Sequence, residues 1–312
     1  MEIILEIIVP VFGIVGIGYA AARLGWFKPD ATKGLSTFVF DFAIPAMLFR
    51  AMATTTLPAQ IEWGYLISYF GGGYGAWLIG SLISRYGFRR SGADPAIAGM
   101  TGGFSNTVLL GVPLILTTFG EKATLPLFLL VACHSWQLLS VFTIQAEIGI
   151  GAREEMRRLP LNVATGLVKN PIIISLLAGI LYNLAGLPLP HVVDTLTATL
   201  GRAAMPCAVF AMGSSLAGYR LAGSIGEANI GVALKLLVHP ILVWLLATYV
   251  FAVEPLWRDV AVILASLPVG VNVYLMAQRY QAGVAPAVTA VLVSTAVSVL
   301  SVAAVLTLLE VR

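Results

Sequence analysis

The chain has 312 residues, of which 59% are hydrophobic and 11% charged, with a formal net charge of +3 and a mean hydropathy of +0.93. A soluble domain carries about 25% charged residues, so this composition excludes a water-soluble globular protein and puts most of the surface in lipid. Two cysteines, Cys133 and Cys207, both within apolar runs, supply neither a disulfide framework nor a metal site.

A bilayer core takes about 20 apolar residues per helix. Cutting at polar and Pro/Gly-rich breaks predicts ten spans, near 3–23, 33–53, 63–86, 95–118, 123–149, 170–187, 191–217, 227–251, 259–279 and 285–309. The first has Glu2 and Glu6 at its head and no basic segment before it, so it reads as a span and not a signal peptide. In the second, Asp41 precedes Pro45 by four residues. Gly71-Gly72-Gly73 and Gly75 in the third read as close helix packing. No strand precedes them and no Gly-Lys-Ser/Thr follows, so they are not a phosphate loop. The fourth contains FSNTVLLGVPLIL (104–116), which sets Ser105, Asn106, Thr107, Gly111 and Pro113 at mid-span. His134 lies in the fifth, and Glu147 near its end is expected to be solvated. Residues 151–169 read as a linker between halves 1–150 and 170–312. Lys235 and His239 in the eighth are four apart and share a helix face. The ninth contains ASLPVGVNVYLMAQRY (265–280), with Ser266, Pro268, Gly270 and Asn272.

Basic residues are unevenly distributed. Twelve fall in the loops after the odd-numbered spans and five (Arg50, Lys122, Arg202, Arg258 and Arg312) on the other side. The positive-inside rule puts the first set in the cytoplasm and both termini outside. The halves also match. At an offset of 161, Pro10, Pro29 and Pro45 meet Pro171, Pro190 and Pro206, and Gly18 and Gly25 meet Gly179 and Gly186. Five spans per half is an odd number, so the second repeat enters from the opposite face, an arrangement found in secondary transporters. The predicted class is an all-α polytopic membrane protein of ten transmembrane helices in two inverted five-helix repeats.

Spans four and nine are then repeat mates, both interrupted at mid-depth. Proline lacks an N–H and glycine tolerates unusual backbone. Unwound backbone is tolerated in a bilayer only where it lines a protein cavity. Two broken helices crossing at the midplane supply such a cavity, and their half-helix N-termini suit a carboxylate. The alternative is a pair of proline kinks with Ser, Asn and Thr packing between helices. Intramembrane ionisable groups carry a functional hypothesis by default. Lys235 offsets a bound anion, holds an unwound carbonyl, or snorkels to an interface. His134 carries a proton or is simply packed, and Asp41 is structural or takes part in transport. The repeat mate of Asp41 is Arg202, at opposite depth, so no salt bridge is expected between them.

These segments resemble the auxin efflux carrier family, which includes bacterial small-acid carriers and the plant PIN-formed auxin carriers. SNTVLLGVPLI (105–115) is similar to the family's fourth-span motif, Asn-Thr-Leu-Val-x-Gly-Ile-Pro-Leu in plants. SLPVGVNVYLMAQRY (266–280) is similar to its ninth-span motif, Leu-Pro-x-Gly with an Ala-x-x-Tyr ending. VPVFGIVGIGYAAARLGWFKPD (9–30) and KLLVHP (235–240) resemble its first span and loop and its eighth span. The large hydrophilic central loop of long plant members is missing. The resemblance implies a scaffold and dimer surface from spans one, two, six and seven, and a mobile transport unit from spans three to five and eight to ten. It implies elevator-type alternating access with a carboxylate held at the crossover by Asn106, Pro113, Pro268 and the neighbourhood of Asn272. Within CHSWQ (133–137), Gln137 stands where the plant members have an aromatic ligand contact, and Tyr69 stands where they carry an acid.

The reading is a secondary transporter of small organic anions in the cell (inner) membrane, a homodimer without cofactor, metal or nucleic-acid partner, and not an enzyme. A sodium–proton antiporter on a similar plan is the alternative. Its chemistry wants carboxylates at the break, and 95–118 and 260–280 contain no Asp or Glu. A passive channel is a further alternative. A zinc protease would need His-Glu-x-x-His, and His134, His191 and His239 fall in different spans.

Overall fold

The computed structural model describes residues 4–55, 62–152, 154–220 and 224–309. Arg153 and Arg312, both counted in the charge argument, lie outside them. Helices fill the described residues, and the β-type pairing among them is one isolated antiparallel bridge, Ser105 to Val269. In chain order the α-helices are α1 (Val9–Arg23), α2 (Pro29–Phe38), α3 (Ile44–Thr54), α4 (Trp63–Leu82), α5 (Asp94–Gly103), α6 (Val112–Phe119), α7 (Thr124–Ile150), α8 (Glu154–Lys169), α9 (Pro171–Leu184), α10 (His191–Leu216), α11 (Ile225–Ala233), α12 (His239–Leu245), α13 (Pro255–Ala265), α14 (Val271–Tyr280) and α15 (Val284–Leu308).

Proline shapes these helices in a regular way. Four π-helical turns, Ile4–Ile8, Val39–Ala43, Thr107–Gly111 and Leu234–Val238, each end two residues before a proline: Pro10, Pro45, Pro113 and Pro240. A proline ring presses on the carbonyl four residues back and offers no N–H. A widened turn with i→i+5 bonding takes that carbonyl out of the ladder, and such turns recur at functional sites.

Seven helices are long and apolar enough to cross a membrane among the described residues, or eight if the pair 157–169 and 171–184, bent by 60°, counts as one span. This is fewer than ten for identifiable reasons. Residues 107–150 count as one apolar stretch of 44 residues, although α6 and α7 are separate helices joined by a 3-10 turn at Gly120–Ala123, where Gly120 takes φ 66°. Unwinding leaves α5, α13 and α14 with 10, 11 and 10 residues, each too short to span alone. The linker is itself helical, as α8, and Asn170 accepts the Ile172 N–H at 2.9 Å to cap α9.

The chain divides into two compact units. One comprises Met1–Ile61, Val108–Cys133 and Ala164–Gly218, the other Glu62–Thr107, His134–Val163 and Tyr219–Arg312. In the first, α1 packs on α10 and α3 on α9. A Cβ on Gly18 would collide with the Phe210 carbonyl, and one on Gly179 would lie 2.7 Å from the Phe49 carbonyl oxygen. Gly18 and Gly179 are 161 apart, as are Phe49 and Phe210, so each contact is the image of the other. In the second unit, α4 packs on α5 and α12, and α11 and α14 pack on α15. Gly72 sits against the Val243 backbone nitrogen, 2.9 Å from where its Cβ would be.

Candidate functional site

The second unit contains both helix interruptions, and they meet. α5 ends at Gly103 and α13 at Ala265; the chain then runs non-helically through 104–106 and 266–270. The Asn106 N–H donates to the Pro268 carbonyl at 3.0 Å, and the Gly270 N–H donates to the Phe104 carbonyl at 2.9 Å. Gly270 allows this approach, since a Cβ there would lie 2.7 Å from Phe104 Cδ1 and 3.1 Å from the Ser105 carbonyl oxygen.

Buried backbone polar groups need partners, above all where no water reaches. Neighbouring side chains supply them. Lys235 Nζ donates to the Ala265 carbonyl at 2.5 Å, satisfying an orphan acceptor at the end of α13. From α15, Ser301 Oγ donates to the Ser266 carbonyl at 3.3 Å, and Ser294 Oγ accepts the Val269 N–H at 3.0 Å. His134 Nε2 lies 3.1 Å from the Ser105 carbonyl. The N–H groups of Asn106, Val269 and Gly270 are therefore already engaged. Donors at the break that take no such partner among the described residues include the N–H groups of Ser105 and Leu267 and those of Val271 and Asn272, which open α14.

Beneath the bridge lies a buried polar cluster. Tyr69 of α4 has its hydroxyl 3.3 Å from His134 Nδ1. Its ring lies 5.8 Å from the His134 ring and 5.5 Å from the His239 ring, centroid to centroid. Phe104 meets His134 edge-on at 4.6 Å. A carbonyl only accepts, so His134 Nε2 carries the proton and Nδ1 accepts from Tyr69. Both ring nitrogens of His239, Ser105 Oγ and Gln137 Oε1 are buried without a hydrogen-bond partner among the described residues.

The structure brings Ser105, Asn106, Pro268 and Gly270 together at the bridge, all buried, with Thr107 buried beside them and Asn272 half-buried in α14. Gly111, Pro113 and Asp41 belong to the first unit, where Asp41 is exposed on its π turn. Lys235 does not snorkel: it is fully buried on the Ala265 carbonyl. It and His239, four apart across a π turn, are both buried in the second unit: His239 turns to Tyr69 and Gly73 while Lys235 reaches α13. Glu147 corrects another expectation: it is 2% exposed and accepts the Tyr280 hydroxyl at 3.2 Å. Arg50 pairs with Asp194 at 2.6 Å, while Arg202 lines a cavity of about 460 Å³ in the first unit. Sequence reasoning missed Tyr69, His239, Ser294 and Ser301 as groups supporting the break. The seven-residue spacing of the two serines, two helical turns on one face, was the available signal.

Comparison with known proteins agrees with a transporter. The family model described as "Membrane transport protein" matches residues 3–306. The chain is 29% identical to the "Putative malonate transporter" of Rhizobium meliloti (strain 1021), over 99% of this chain and 97% of that one. It is 22% identical to "Auxin efflux carrier component 8" of Arabidopsis thaliana, over 87% of this chain and 88% of the relative. A stretch covering 55% of this chain is 30% identical to 21% of the mouse (Mus musculus) "Lysosomal cholesterol signaling protein". A match along nearly the whole chain shows that this protein is a membrane transporter of the auxin efflux carrier family.

Proposed function

We propose that this protein is a secondary transporter of small organic anions, with the carboxylate bound at the bridge between the two interrupted helices. The observation that carries the reading is the pair of free N–H groups, Val271 and Asn272, opening α14 next to Asn106 and Pro268. A helix N-terminus favours an anion by about 0.3–1 kcal/mol when exposed and up to ~2 kcal/mol when partly buried. Asn106 and Asn272 add amide donors, Gln137 an unpartnered amide oxygen, and Ser105 and Thr107 hydroxyls. The absence of Asp and Glu from 95–118 and 260–280 speaks against the sodium–proton antiporter. The malonate-transporter name of one relative fits a small, polar anion.

We further propose ten spans in two inverted repeats, both termini outside the cytoplasm, a homodimer in the cell membrane, and elevator-type alternating access. Support for the repeat comes from the reciprocal Gly18–Phe210 and Gly179–Phe49 contacts. Element starts also coincide at the same offset, as with Asp94 and Pro255. For the elevator, the support is that both interruptions lie within a single compact unit, which can then carry its cargo as one body.

The test is a thermal-shift screen of the purified protein against mono- and dicarboxylates, indole-3-acetate and sodium. A ligand at 100 times its Kd stabilises by about 2.7 kcal/mol. A carboxylate should raise the melting temperature of the wild type and of Arg202→Gln, and leave Asn106→Ala unmoved. A response retained in Asn106→Ala and lost in Arg202→Gln would move the site to the cavity of the first unit. A response to sodium alone would favour the antiporter.

A further inference from the structure

Among the described residues, His239 is the side chain with two buried polar atoms lacking a hydrogen-bond partner. It is fully buried, and neither ring nitrogen has a partner among the described residues. A neutral imidazole always carries one donor and one acceptor, so leaving both unpaired in the core requires an explanation. Gly73 makes room for the ring: a Cβ there would lie 3.3 Å from His239 Nε2. The Tyr69 ring lies between two imidazoles, bonded to His134 on one side and stacked at a tilt on His239 on the other. No carboxylate bonds to either imidazole among the described residues. The groups that face them are Tyr69 of α4, Ser105 at the break, and the buried amine of Lys235. A dry surrounding without a carboxylate resists an added positive charge.

We propose that His239, Tyr69 and His134 form a proton relay that binds one proton together with each organic anion, making the carrier proton-coupled. The inference rests on the anion-carrier reading above. In the empty site, Tyr69 donates its hydroxyl to His134 Nδ1, because Nε2 is committed to the Ser105 carbonyl. A proton arriving at Nδ1 turns His134 into an imidazolium and makes Nδ1 a donor to the Tyr69 oxygen. The Tyr69 hydrogen must then leave that axis, and the unpartnered acceptors around the ring are Ser105 Oγ, which faces the hydroxyl, and His239, whose ring is 5.5 Å away centroid to centroid. Proton and bond order are conserved at each step. Lys235 opposes the added charge, and a carboxylate bound at the bridge offsets it. Anion and proton therefore promote each other's binding, and the linkage is reciprocal. The Nε2–H of the same imidazolium bonds to the Ser105 carbonyl, so the added charge is registered at the backbone that holds the cargo.

Isothermal titration calorimetry of the intact purified carrier, in two buffers of unlike ionisation heat near neutral pH, counts the protons taken up per ligand bound. Each carboxylate of the thermal-shift panel would be titrated. The wild type should take up one proton per carboxylate. Tyr69→Phe, which removes one oxygen, and the double variant His134→Gln/His239→Gln, which removes both imidazoles, should lose most of the proton uptake and, through the linkage, show a smaller carboxylate thermal shift. Carboxylate binding with equal heats in both buffers would overturn the relay and leave the anion carrier standing. Undiminished uptake in both variants would also overturn it, assigning the proton to another group. No binding by any carboxylate would bring down the carrier reading and the relay with it. Misfolding of a variant would not rescue the idea, because the wild-type proton count decides it alone.

Discussion

Lys235 has a single bond to the Ala265 carbonyl and no counter-ion among the described residues. Burying an ammonium costs several kcal/mol, so its retention in the core needs a return. One return is structural: it satisfies a carbonyl that the end of α13 leaves without a helical partner. The other is electrostatic, compensating the charge of a bound anion. Lys235→Met keeps the stem and removes the charge, and it separates the two. If the carbonyl bond is the main role, the variant loses about 1–3 kcal/mol of stability through the orphaned acceptor, and carboxylate affinity changes less than about threefold, under ~0.7 kcal/mol. A melting temperature that stays put while affinity falls more than about tenfold, ~1.4 kcal/mol, would make Lys235 a charge partner of the ligand. Tyr280 poses a parallel case at Glu147, whose second carboxylate oxygen is buried without a hydrogen bond. Tyr280→Phe removes the hydroxyl from the first oxygen too, and should cost about 1–3 kcal/mol in chemical unfolding. A change within ~0.5 kcal/mol would mean that water satisfies this carboxylate.

The break between α13 and α14 works as an element because its backbone is held from three directions: Lys235, the serines of α15, and the strand-like segment 104–106. Gly270 is its tightest point. Gly270→Ala puts a methyl 2.7 Å from the Phe104 ring, and overpacking of this kind costs about 1–3 kcal/mol. The bridge should loosen, weakening carboxylate binding along with stability. Phe104→Leu in the same chain should restore part of both, and a double-mutant cycle with no coupling would show that the ring is not what Gly270 accommodates. Much of this element was legible in the sequence. Pro268 and Gly270 marked the interruption, and Ser105 to Pro113 marked its partner, because proline and glycine act through the backbone of their own segment. What was not legible depends on which helix faces meet. Each π turn inserts a residue and rotates everything beyond it. Which partner a buried side chain meets is set by the neighbouring helix, and His239 was not assigned to the neighbourhood of Tyr69. Glu147 was misjudged for a related reason: distance along a helix indicates depth but not which side faces a neighbour.

At the scale of the whole molecule, the 161-residue offset ties the halves together by element starts and by the two glycine contacts, Gly18 on Phe210 and Gly179 on Phe49. Close packing through a missing Cβ survives only where both backbones keep their approach, so finding it twice at related positions is more than shared composition. An even number of spans per half would place related loops on the same side of the membrane, and five place them on opposite sides. Lys28, in the loop after the first span, and Leu187, at the end of the sixth, are both exposed. With Cys133 and Cys207 replaced by serine, Lys28→Cys and Leu187→Cys each offer one thiol to a membrane-impermeant maleimide. Lys28→Cys should react only after the cells are permeabilised, because the basic loops are held in the cytoplasm. Leu187→Cys should react in intact cells. Opposite behaviour of both positions would invert the orientation but keep the repeat inverted. Labelling of both from the same side would overturn the five-plus-five arrangement. The half-helices of spans four and nine would then no longer enter from opposite faces, and the crossover proposed to hold the anion would lose its symmetry.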